Sequence, residues 1–589
     1  MNKNQITLRT IFNLILDKKP ALIYGQVITL LAILVSIPVP LMLPVMVDEI
    51  LLNKPSYFVN TINSIIGETT AIYYIAIVTF AVIFLRFIYY VLGVVLTKVF
   101  TKISKYVTFM IRRRLIEHLK LASMNEYETL GSGAITANLI TDVNTLDNFI
   151  MTSVSRFVSS VLTLVAVGVV MIMIDPLLGV LILIIQPLIM LLSKRMSKRV
   201  GALKKEENEA IERFQDSVGE TLELYGQIKA SNKEDYFFSN AIEHAKDIQT
   251  TSNEYGYKSI AYEKLSYTIF LVMFELLRAS GLVLVAYSDL SIGMMFAMFG
   301  YIWFIMTPVQ DILSMQYSYA SAMAALKRLN KILTLKTEHT ATKIINSKQV
   351  DVSLKNLNFS YTEDKYILEN ISFDIKAGSK IALIGASGSG KTTLAQVISG
   401  FYEKRSGSLT YNNIEISDLD KSSLRERIFL VLQMPILFNS TLRFNITMGD
   451  GSISDEQINK ALQIAQLWEM LVSMKDGLET IVGHHGVRLS GGQRQRLSIA
   501  RMIIADPSVV IFDESTSALD VHTEAKLYTV IAPILKDKTL ITIAHRLSTV
   551  KNADIIYVLD AGKIVQRGTH EELEDEEGHY MEFIKNQLL

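Results

Sequence analysis

Runs of residues with few or no charges recur throughout the first 310 positions of this 589-residue chain. A helix that crosses a membrane needs about 20 mostly apolar residues. One such run could be a buried helix of a soluble protein, but six in succession favour a membrane domain. The six predicted spans are residues 22–47, 69–97, 157–174, 177–193, 265–288 and 290–310.

Lys and Arg residues around these runs indicate the orientation, since basic residues accumulate on the cytoplasmic side of a membrane. Lys18 and Lys19 precede the first run, and more basic residues follow the second and the fourth. We therefore expect both termini in the cytoplasm. No proline occurs at positions 56–175 or 188–307. Because proline interrupts helices, its absence predicts helices that continue from the membrane far into long cytoplasmic loops.

Composition excludes several functional classes. The 58 Lys and Arg residues balance the 58 Asp and Glu residues, so the chain lacks the overall positive charge typical of nucleic-acid binding. The absence of cysteine excludes disulfides, thiolate metal sites, iron–sulfur clusters and a cysteine nucleophile. Apolar residues make up 50% of the chain, which argues against a disordered protein.

Beyond about position 340 the sequence becomes that of a soluble domain. The predicted division is a membrane domain at 1–325, a linker at 326–348 and a soluble α/β domain at 349–589. An apolar strand in the soluble part leads into Gly385-x4-Gly390-Lys391-Thr392. Glycines let backbone N–H groups surround phosphate oxygens, while the lysine reaches the β- and γ-phosphates and the hydroxyl suits Mg²⁺. This pattern is a P-loop and indicates a nucleoside triphosphate.

A second motif supports this interpretation. The apolar strand Val509–Asp513 ends in a carboxylate and is followed directly by Glu514. Asp513 is suited to hold Mg²⁺, and Glu514 is placed to polarise an attacking water molecule. Acidic residues at strand ends can also cap helices, so each is weak evidence alone. Together with the P-loop they predict hydrolysis of a nucleoside triphosphate.

Between the two motifs lies Leu489-Ser-Gly-Gly-Gln493, followed by Arg494-Gln-Arg496. This segment resembles the signature motif of ATP-binding cassette (ABC) proteins. The other cassette motifs are matched by Tyr361 as the adenine-stacking aromatic, Gln433 in the Q-loop, Ser517-Ala-Leu-Asp520 as the D-loop and His545 as the switch histidine. The whole chain resembles a half-transporter of the exporter class that includes multidrug exporters and lipid A flippases.

The resemblance implies a six-helix exporter transmembrane domain followed by a P-loop ABC nucleotide-binding domain. It also implies a homodimer, in which ATP lies between the P-loop of one chain and the signature motif of the other. The implied catalytic residues are Glu514, His545 and Gln433, and the implied Mg²⁺ ligands are Thr392, Gln433 and Asp513. The implied ATP-binding residues are Tyr361, Gly385, Ser387, Gly388, Gly390, Lys391, Thr392, Thr393, Ser490, Gly491, Gly492, Gln493 and Asp520.

The resemblance further implies ATP-driven export or flipping of a hydrophobic or amphiphilic cargo across a bacterial inner membrane. The cargo class stays open between a drug, a lipid-like molecule and a peptide. Glu275 and Arg278 lie three residues apart in the fifth span, where they either pair with each other or contact cargo. The sixth span is rich in Met and aromatic residues, which either line an apolar pocket or pack against neighbours.

Two cytoplasmic segments resemble the coupling helices of the family, at residues 126–137 and 206–217. The chain departs from the family pattern ahead of the signature motif, where His484 replaces a glutamate and His485 follows it. Tolerated drift in a loop is one interpretation of the change. A pH-sensitive coupling contact is the other, because histidine titrates near neutrality, and a metal site is the least favoured.

Two other functions remain open at this stage: an importer built on the exporter fold, and a membrane ATPase that regulates a partner. The intact Glu514 and His545 argue against the regulatory role. The short N-terminal segment and the absence of cysteine exclude a peptide exporter with its own cysteine protease. The six spans exclude a cassette ATPase that acts on nucleic acids.

Overall fold

The computed structural model of the chain describes residues 5–339, 341–362, 365–433, 435–483, 488–514, 520–544 and 546–588. Side chains are described for all of these except 185–197, 313, 316–317, 521, 548 and 586–588. The chain forms two compact units. The first contains Met1–Leu119 and Gly133–Thr334, and the second contains Lys120–Ser132 and Leu335–Leu589. The second unit therefore begins at Leu335 and includes a short segment from within the predicted membrane domain.

The first unit is helical. Its α-helices are α1 (Leu8–Leu16), α2 (Lys19–Ser36), α3 (Pro38–Pro44), α4 (Tyr57–Ile66), α5 (Ala71–Leu119), α7 (Ser132–Ala137), α8 (Val143–Ile150), α9 (Val158–Ile174), α10 (Pro176–Glu223), α11 (Tyr225–Ala230), α12 (Glu234–Tyr287) and α13 (Ile292–Thr334). Three π-helical segments interrupt the series at Val45–Leu51, Asn138–Asp142 and Met151–Phe157. Helices satisfy every backbone polar group internally, which a bilayer requires of a spanning segment.

Five helical stretches within the described residues are long and apolar enough to cross a membrane. They are Lys19–Leu51, Ala71–Leu119, Ser132–Ile174, Glu234–Tyr287 and Ile292–Ile312. The fourth predicted span, residues 177–193, lies on α10, where the side chains of 185–197 fall outside the description. The described part of the chain therefore accounts for five of the six predicted spans.

The regular α-helix of the first span is interrupted at its prolines. Helix α2 ends at Ser36, α3 starts at Pro38, and π-helical turns begin immediately after Pro44. Proline removes a backbone donor and clashes with the preceding turn, which explains why the ordinary helical pattern stops here. The π-helical segment carries Asp48, which accepts hydrogen bonds from Ser291 Oγ at 2.5 Å and from the amide of Gly293 at 2.9 Å. Asp48 thus joins the first span to the start of α13.

Further polar contacts join the other helices of this unit. Asp311 on α13 accepts a hydrogen bond from Ser160 Oγ on α9 at 3.0 Å. Nearer the end of α13, Arg328 Nε donates to Asp142 Oδ2 at 2.9 Å, and Asp142 is 4% exposed. A buried carboxylate is costly unless it is paired, so this contact fixes α13 beside the π-helical segment that contains Asp142.

The long cytoplasmic arms have the helical form that the lack of proline predicts. Helices α10 and α12 contact each other, and buried Glu207 on α10 accepts a hydrogen bond from Ser252 Oγ on α12 at 2.7 Å. The segment 206–217, compared above with a coupling helix, lies inside α10 and forms no turn. The connection between the two arms is instead the short helix α11. That placement of the second coupling segment is therefore wrong.

The structure bears on the two alternatives left open for the charged residues of the fifth span and for the Met and aromatic residues of the sixth. Arg278 Nη2 lies 2.5 Å from Glu275 Oε2, so these two charges pair along one face of α12. In the sixth span, Met295, Met298 and Tyr301 are buried in the helical core. Trp303 and Phe304 line a cavity of the same unit. The Met and aromatic residues of this span thus serve both packing and a cavity wall.

The second unit contains two sheets and their surrounding helices. Its strands are β1 (Val352–Phe359), β2 (Leu368–Ile375), β3 (Lys380–Gly385), β4 (Ser406–Tyr411), β5 (Ile414–Glu415), β6 (Ile428–Val431), β7 (Val509–Asp513), β8 (Thr539–Ile543), β9 (Ile555–Asp560) and β10 (Lys563–Gly568). Its α-helices are α6 (Met124–Leu130), α14 (Lys391–Ile398), α15 (Lys421–Arg427), α16 (Leu442–Thr447), α17 (Asp455–Ile464), α18 (Trp468–Ser473), α19 (Gly491–Ala505), α20 (Val521–Leu535), α21 (Leu547–Val550), α22 (His570–Glu574) and α23 (His579–Leu588). Short 3₁₀ turns occupy Ile416–Asp418 and Gly477–Glu479.

The larger sheet has the strand order β10-β9-β3-β8-β7-β6. Strands β6, β7, β8, β3 and β9 run parallel, and β10 is antiparallel to β9. Strand β7 is buried along its whole length, as expected of a strand that is covered on both faces. Because the strands are parallel, the residues that follow β3, β6 and β7 meet at one edge of the sheet.

The segment Lys120–Ser132 joins the second unit through backbone hydrogen bonds. The amide of Ser123 donates to the carbonyl of Lys336 at 2.9 Å, and the amide of Glu338 donates to the carbonyl of Leu121 at 2.8 Å. Helix α6 follows and ends at Gly131, whose φ of +76° suits glycine. The first segment compared with a coupling helix, residues 126–137, thus includes the later part of α6 and the whole of the next helix, α7.

Gly293→Ala should destabilise the membrane unit. A Cβ at this position would lie 2.4 Å from Asp48 Oδ2 and 2.6 Å from Pro44 Cα, so the two helices would have to separate. We expect a loss of about 1–3 kcal/mol, visible as a lower melting temperature in detergent. Gly256→Ala is the matched control, because a Cβ there meets nothing within 4 Å. It should leave the melting temperature unchanged or raise it; equal effects of the two variants would contradict the prediction.

Candidate nucleotide-binding site

The P-loop lies at the carboxyl end of β3. The backbone of Gly385 has a φ of +147°, and a Cβ there would lie 2.0 Å from the carbonyl oxygen of Leu559. Gly388 and Gly390 also have positive φ values, of +80° and +99°. Only glycine adopts all three conformations without strain. The loop leads into α14, whose N-terminus begins at Lys391, so backbone N–H groups are available to an anion.

Lys391 is folded back into the loop that precedes it. Its Nζ donates to the carbonyl oxygens of Gly385 at 2.9 Å and Ala386 at 2.8 Å, and the residue is 6% exposed. Burial lowers the pKa of Lys391, while the carboxylates of Glu514 and Asp513 act in the opposite direction. The ammonium group is thus held inside the loop, next to the two acidic residues.

The two acidic residues predicted from the sequence lie at the end of β7. Asp513 is buried, and its Oδ1 accepts a hydrogen bond from Thr392 Oγ1 at 3.0 Å. A hydroxyl and a carboxylate at this distance form the kind of oxygen donor set that Mg²⁺ prefers. The structure therefore brings two of the three predicted metal ligands into direct contact.

Glu514 lies next to the third predicted ligand. Its Oε2 accepts a hydrogen bond from Gln433 Nε2 at 2.5 Å, across 81 positions of sequence. The φ of Glu514 is +45°, which is uncommon for a residue other than glycine. Backbone strain of this kind concentrates at functional sites, and it needs surrounding contacts to persist. The described contacts thus hold Glu514 and Gln433 together beside the P-loop.

Tyr361 lies beside the P-loop helix. Its hydroxyl is 3.1 Å from Thr393 Oγ1, on the first turn of α14. Its ring meets the ring of Tyr402 edge to face, with centroids 5.2 Å apart. This geometry is a favourable aromatic arrangement. Tyr361 is therefore held in place from two sides.

Tyr402 was not found by sequence reasoning. Its hydroxyl donates to Glu128 Oε2 on α6 at 2.8 Å, and the ring is 6% exposed. Burial raises the pKa of Tyr402, and the hydrogen bond to Glu128 acts in the same direction. A continuous chain of contacts thus leads from the P-loop helix through Tyr361 and Tyr402 to α6.

The signature motif opens helix α19. Ser490 is its N-cap and is exposed, with its Oγ accepting from the amide of Gln493 at 3.2 Å. Gln493 Oε1 accepts in return from the amide of Ser490 at 2.7 Å. This reciprocal capping box fixes the first turn, which contains Gly491 and Gly492. Asp520 plays the corresponding role for α20, where it accepts from the amide of Thr523 at 2.9 Å.

A second residue of α19 reaches the P-loop side of the site. Gln495 is 3% exposed, and its Nε2 donates to the main-chain carbonyl of Gln433 at 3.1 Å. The sequence indicated only that Gln495 follows the signature motif.

Several predicted residues lie outside the described part of the chain: His545, the D-loop residues 517–519, His484 and His485.

The family model described as ABC transporter matches residues 368–517, and the model described as ABC transporter transmembrane region matches residues 22–309. A putative multidrug export ATP-binding/permease protein of Bacillus subtilis is 30% identical over 494 residues, which are 82% of this chain and 84% of that protein. The chain belongs to the ABC transporter family.

Within this family, an ATP-dependent lipid A-core flippase of Photobacterium profundum is 39% identical over 304 residues. That alignment covers 51% of this ABC transporter chain and about half, 52%, of the flippase. A solved bacterial Atm1-family ABC exporter with ATP bound has a TM-score of 0.82 at 22% identity, covering 97% of this chain and 99% of that one. At this identity the likeness concerns the fold. The predicted fold class, a helical membrane domain followed by an ABC cassette, is confirmed.

The family model also confirms that this ABC transporter chain binds ATP through its cassette.

Proposed function

We propose that two copies of this chain form an exporter in a bacterial inner membrane and use ATP to move an amphiphilic cargo out of the cytoplasmic leaflet. The main observation in support is the meeting of Lys391, Thr392, Asp513, Glu514 and Gln433 in one small region, in a chain with membrane-spanning helices. The relatives named as multidrug export protein and lipid A-core flippase support the direction and the type of cargo. The basic flanks of the spans support a cytoplasmic position for both cassettes.

Binding of ATP uses the P-loop and Tyr361. On arrival of the triphosphate, Lys391 Nζ exchanges its carbonyl contacts for the β- and γ-phosphates, and the loop amides donate hydrogen bonds to the remaining phosphate oxygens. The ring of Tyr361 stacks on adenine, and its hydroxyl contact with Thr393 fixes the orientation of the ring. Ser387 and Gly388 lie on the exposed side of the loop, where backbone groups reach the phosphates.

Thr392, Asp513 and Gln433 are the residues that would hold Mg²⁺. The 3.0 Å contact of the Thr392 hydroxyl with Asp513 supports this assignment, because both groups are oxygen donors of the type that this cation selects. Bound Mg²⁺ neutralises negative charge on the β- and γ-phosphates. Asp513 is buried at the end of a fully buried strand, so its carboxylate stays in place while nucleotide enters and leaves.

Glu514 acts as general base and accepts a proton from the attacking water. The hydrogen bond from Gln433 Nε2 to Oε2 holds the carboxylate of Glu514 in place for this role. His545, which the resemblance identifies as the switch histidine, would contact the γ-phosphate and the same water. General acid–base groups of this kind contribute about 10²–10⁴-fold to rates.

The signature motif serves the nucleotide of the other chain. Ser490 and the first turn of α19 offer a hydroxyl, amide groups and a helix N-terminus to a γ-phosphate. The exposure of Ser490 in one chain is consistent with such an intermolecular role. ATP would then join the two cassettes, and its hydrolysis would release them.

The cavity in the membrane unit supports an amphiphilic cargo. It has a volume of about 560 Å³ and lies between the first span, α5 and α13. Its walls include Met42, Met46, Trp303 and Phe304, and Arg86 is the one charged residue among those that line it. A charge inside a span usually faces a cavity or partner. Apolar walls with one cation suit a molecule with hydrocarbon chains and an acidic head group.

Glu514→Gln should leave ATP affinity within about twofold and reduce turnover at least about 100-fold, because the base is lost while the binding groups stay. Lys391→Ala is the matched comparison and should weaken ATP binding instead. ATPase rates and nucleotide affinity in nanodiscs separate the two effects. The same Glu514→Gln protein should fail to accumulate an amphiphilic dye in inside-out vesicles. Wild-type turnover in this variant would remove Glu514 as the base.

Ser387→Cys combined with Ser490→Cys should give an ATP-dependent crosslink between chains. The sequence has no cysteine, so the two introduced thiols would be unique. A head-to-tail dimer brings the P-loop of one chain to the signature motif of the other. Chains carrying the single variants, mixed in equal amounts, should crosslink only as a heterodimer. Crosslinks confined to one chain would refute this arrangement.

Arg86→Gln should reduce the response to acidic amphiphiles selectively. The half-stimulating concentration of phosphatidylglycerol in the ATPase assay should rise about tenfold, the factor expected for one lost hydrogen bond to a charged group. The response to phosphatidylcholine with the same acyl chains should not change. Arg86→Lys keeps the charge and should restore most of the response. A parallel loss for both lipids would contradict a role in head-group selection.

A further inference from the structure

Helix α19 contacts two different parts of the nucleotide machinery. Its N-cap, Ser490, serves the nucleotide bound to the other chain in the function proposed above. Its next turn carries Gln495, whose Nε2 donates to the main-chain carbonyl of Gln433 at 3.1 Å. The same helix therefore begins at one ATP site and is hydrogen-bonded to the Q-loop of the other.

The contact through Gln495 leads directly to Glu514. The side chain of Gln433 donates to Glu514 Oε2 at 2.5 Å, while its main-chain carbonyl is held by Gln495. Gln433 itself is exposed, so burial does not fix it. Gln495 is 3% exposed and lies on a regular helix, which makes it the rigid member of the three. A buried amide donor on a helix is well suited to fix the backbone of an exposed loop residue.

We propose that Gln495 is a positioning residue for the general base of its own chain, acting through Gln433. The strained backbone of Glu514, with φ of +45°, needs such support, because contacts around it must maintain this conformation. Each α19 then acts on two sites: Ser490 acts on the partner's nucleotide, and Gln495 holds the base of the chain to which it belongs. A displacement of α19 at one site changes the geometry of the base at the other.

This inference rests on the proposed head-to-tail dimer. It predicts that Gln495 and Ser490 matter in different chains of a mixed dimer, so the positioning role and the dimer arrangement can be tested separately. In a mixed dimer, the second chain carries Glu514→Gln, so only the base of the first chain is active. The active site then uses Glu514 and Gln433 of the first chain and Ser490 of the second. The two chains carry different affinity tags and are purified in sequence on both.

Gln495→Met conserves volume and removes the donor. In the first chain it should lower kcat about five- to tenfold with KM for ATP within twofold, the factor expected for one lost hydrogen bond. In the second chain it should leave kcat within twofold. Ser490→Ala should show the reverse preference, with the larger loss when it is in the second chain. Gln463→Met, on the exposed side of α17, is the matched control and should have no effect in either chain.

The outcomes identify which idea fails. The positioning role is overturned if Gln495→Met lowers kcat when it is in the second chain. It is also overturned if kcat falls equally with the variant in either chain, or falls with it in neither. A larger loss of kcat for Ser490→Ala in the first chain overturns the head-to-tail arrangement and leaves the contact of Gln495 with Gln433 untouched.

A second measurement uses homodimers. Gln495→Met should lower the rate in the wild-type background but not the residual rate in the Glu514→Gln background, and equal factors in both would mean a general structural defect.

Discussion

The meeting of three chain segments at the carboxyl edge of one parallel sheet is the constraint on which the cassette depends. Strand β3 ends in the P-loop, β7 ends in Asp513, and β6 leads to Gln433. Parallel pairing places all three ends on the same side, which gives the contacts of Thr392 with Asp513 and of Gln433 with Glu514. A slip of register between β7 and β8 would move Asp513 away from the loop. The buried apolar strands therefore fix the geometry of a polar site.

The sequence was sufficient for the parts of the site that are encoded locally. Glycine spacing identifies the P-loop because those positions need positive φ, and an acidic pair after an apolar strand identifies Asp513 and Glu514. Gln433 and Ser490 required the family resemblance, since a single glutamine or serine carries no signal of its own. The hydrogen bond of Tyr402 with Glu128 could not be found in either way. The two residues are 274 positions apart, and although Glu128 lies in a segment compared with a coupling helix, Tyr402 belongs to no recognised motif.

The membrane unit shows the same division between local and non-local information. Uncharged runs predict spans because bilayer length sets the length of a helix. The turn between α10 and α12 was not located from the sequence, because the chain there offers only Gly226 and, further on, Asn232, whose φ is +51°. A turn of this kind has a weak sequence signature, while the charged residues of 206–217 resemble a surface turn. Contacts such as that of Asp48 with Ser291 join residues 243 positions apart, so only the fold reveals them.

The chain passes between the two units at three points, and two of them are joined to each other. Helix α5 ends at Leu119 and α13 ends at Thr334, and each is followed within four residues by the hydrogen bonds between 121–123 and 336–338. The connection after the second span and the connection after the sixth span are therefore parts of one small backbone assembly in the cassette unit. Glu128 and Tyr402 extend the same assembly to Tyr361. Within the cassette unit, backbone pairing of the two segments that follow α5 and α13 is thus continued by aromatic packing as far as the nucleotide site.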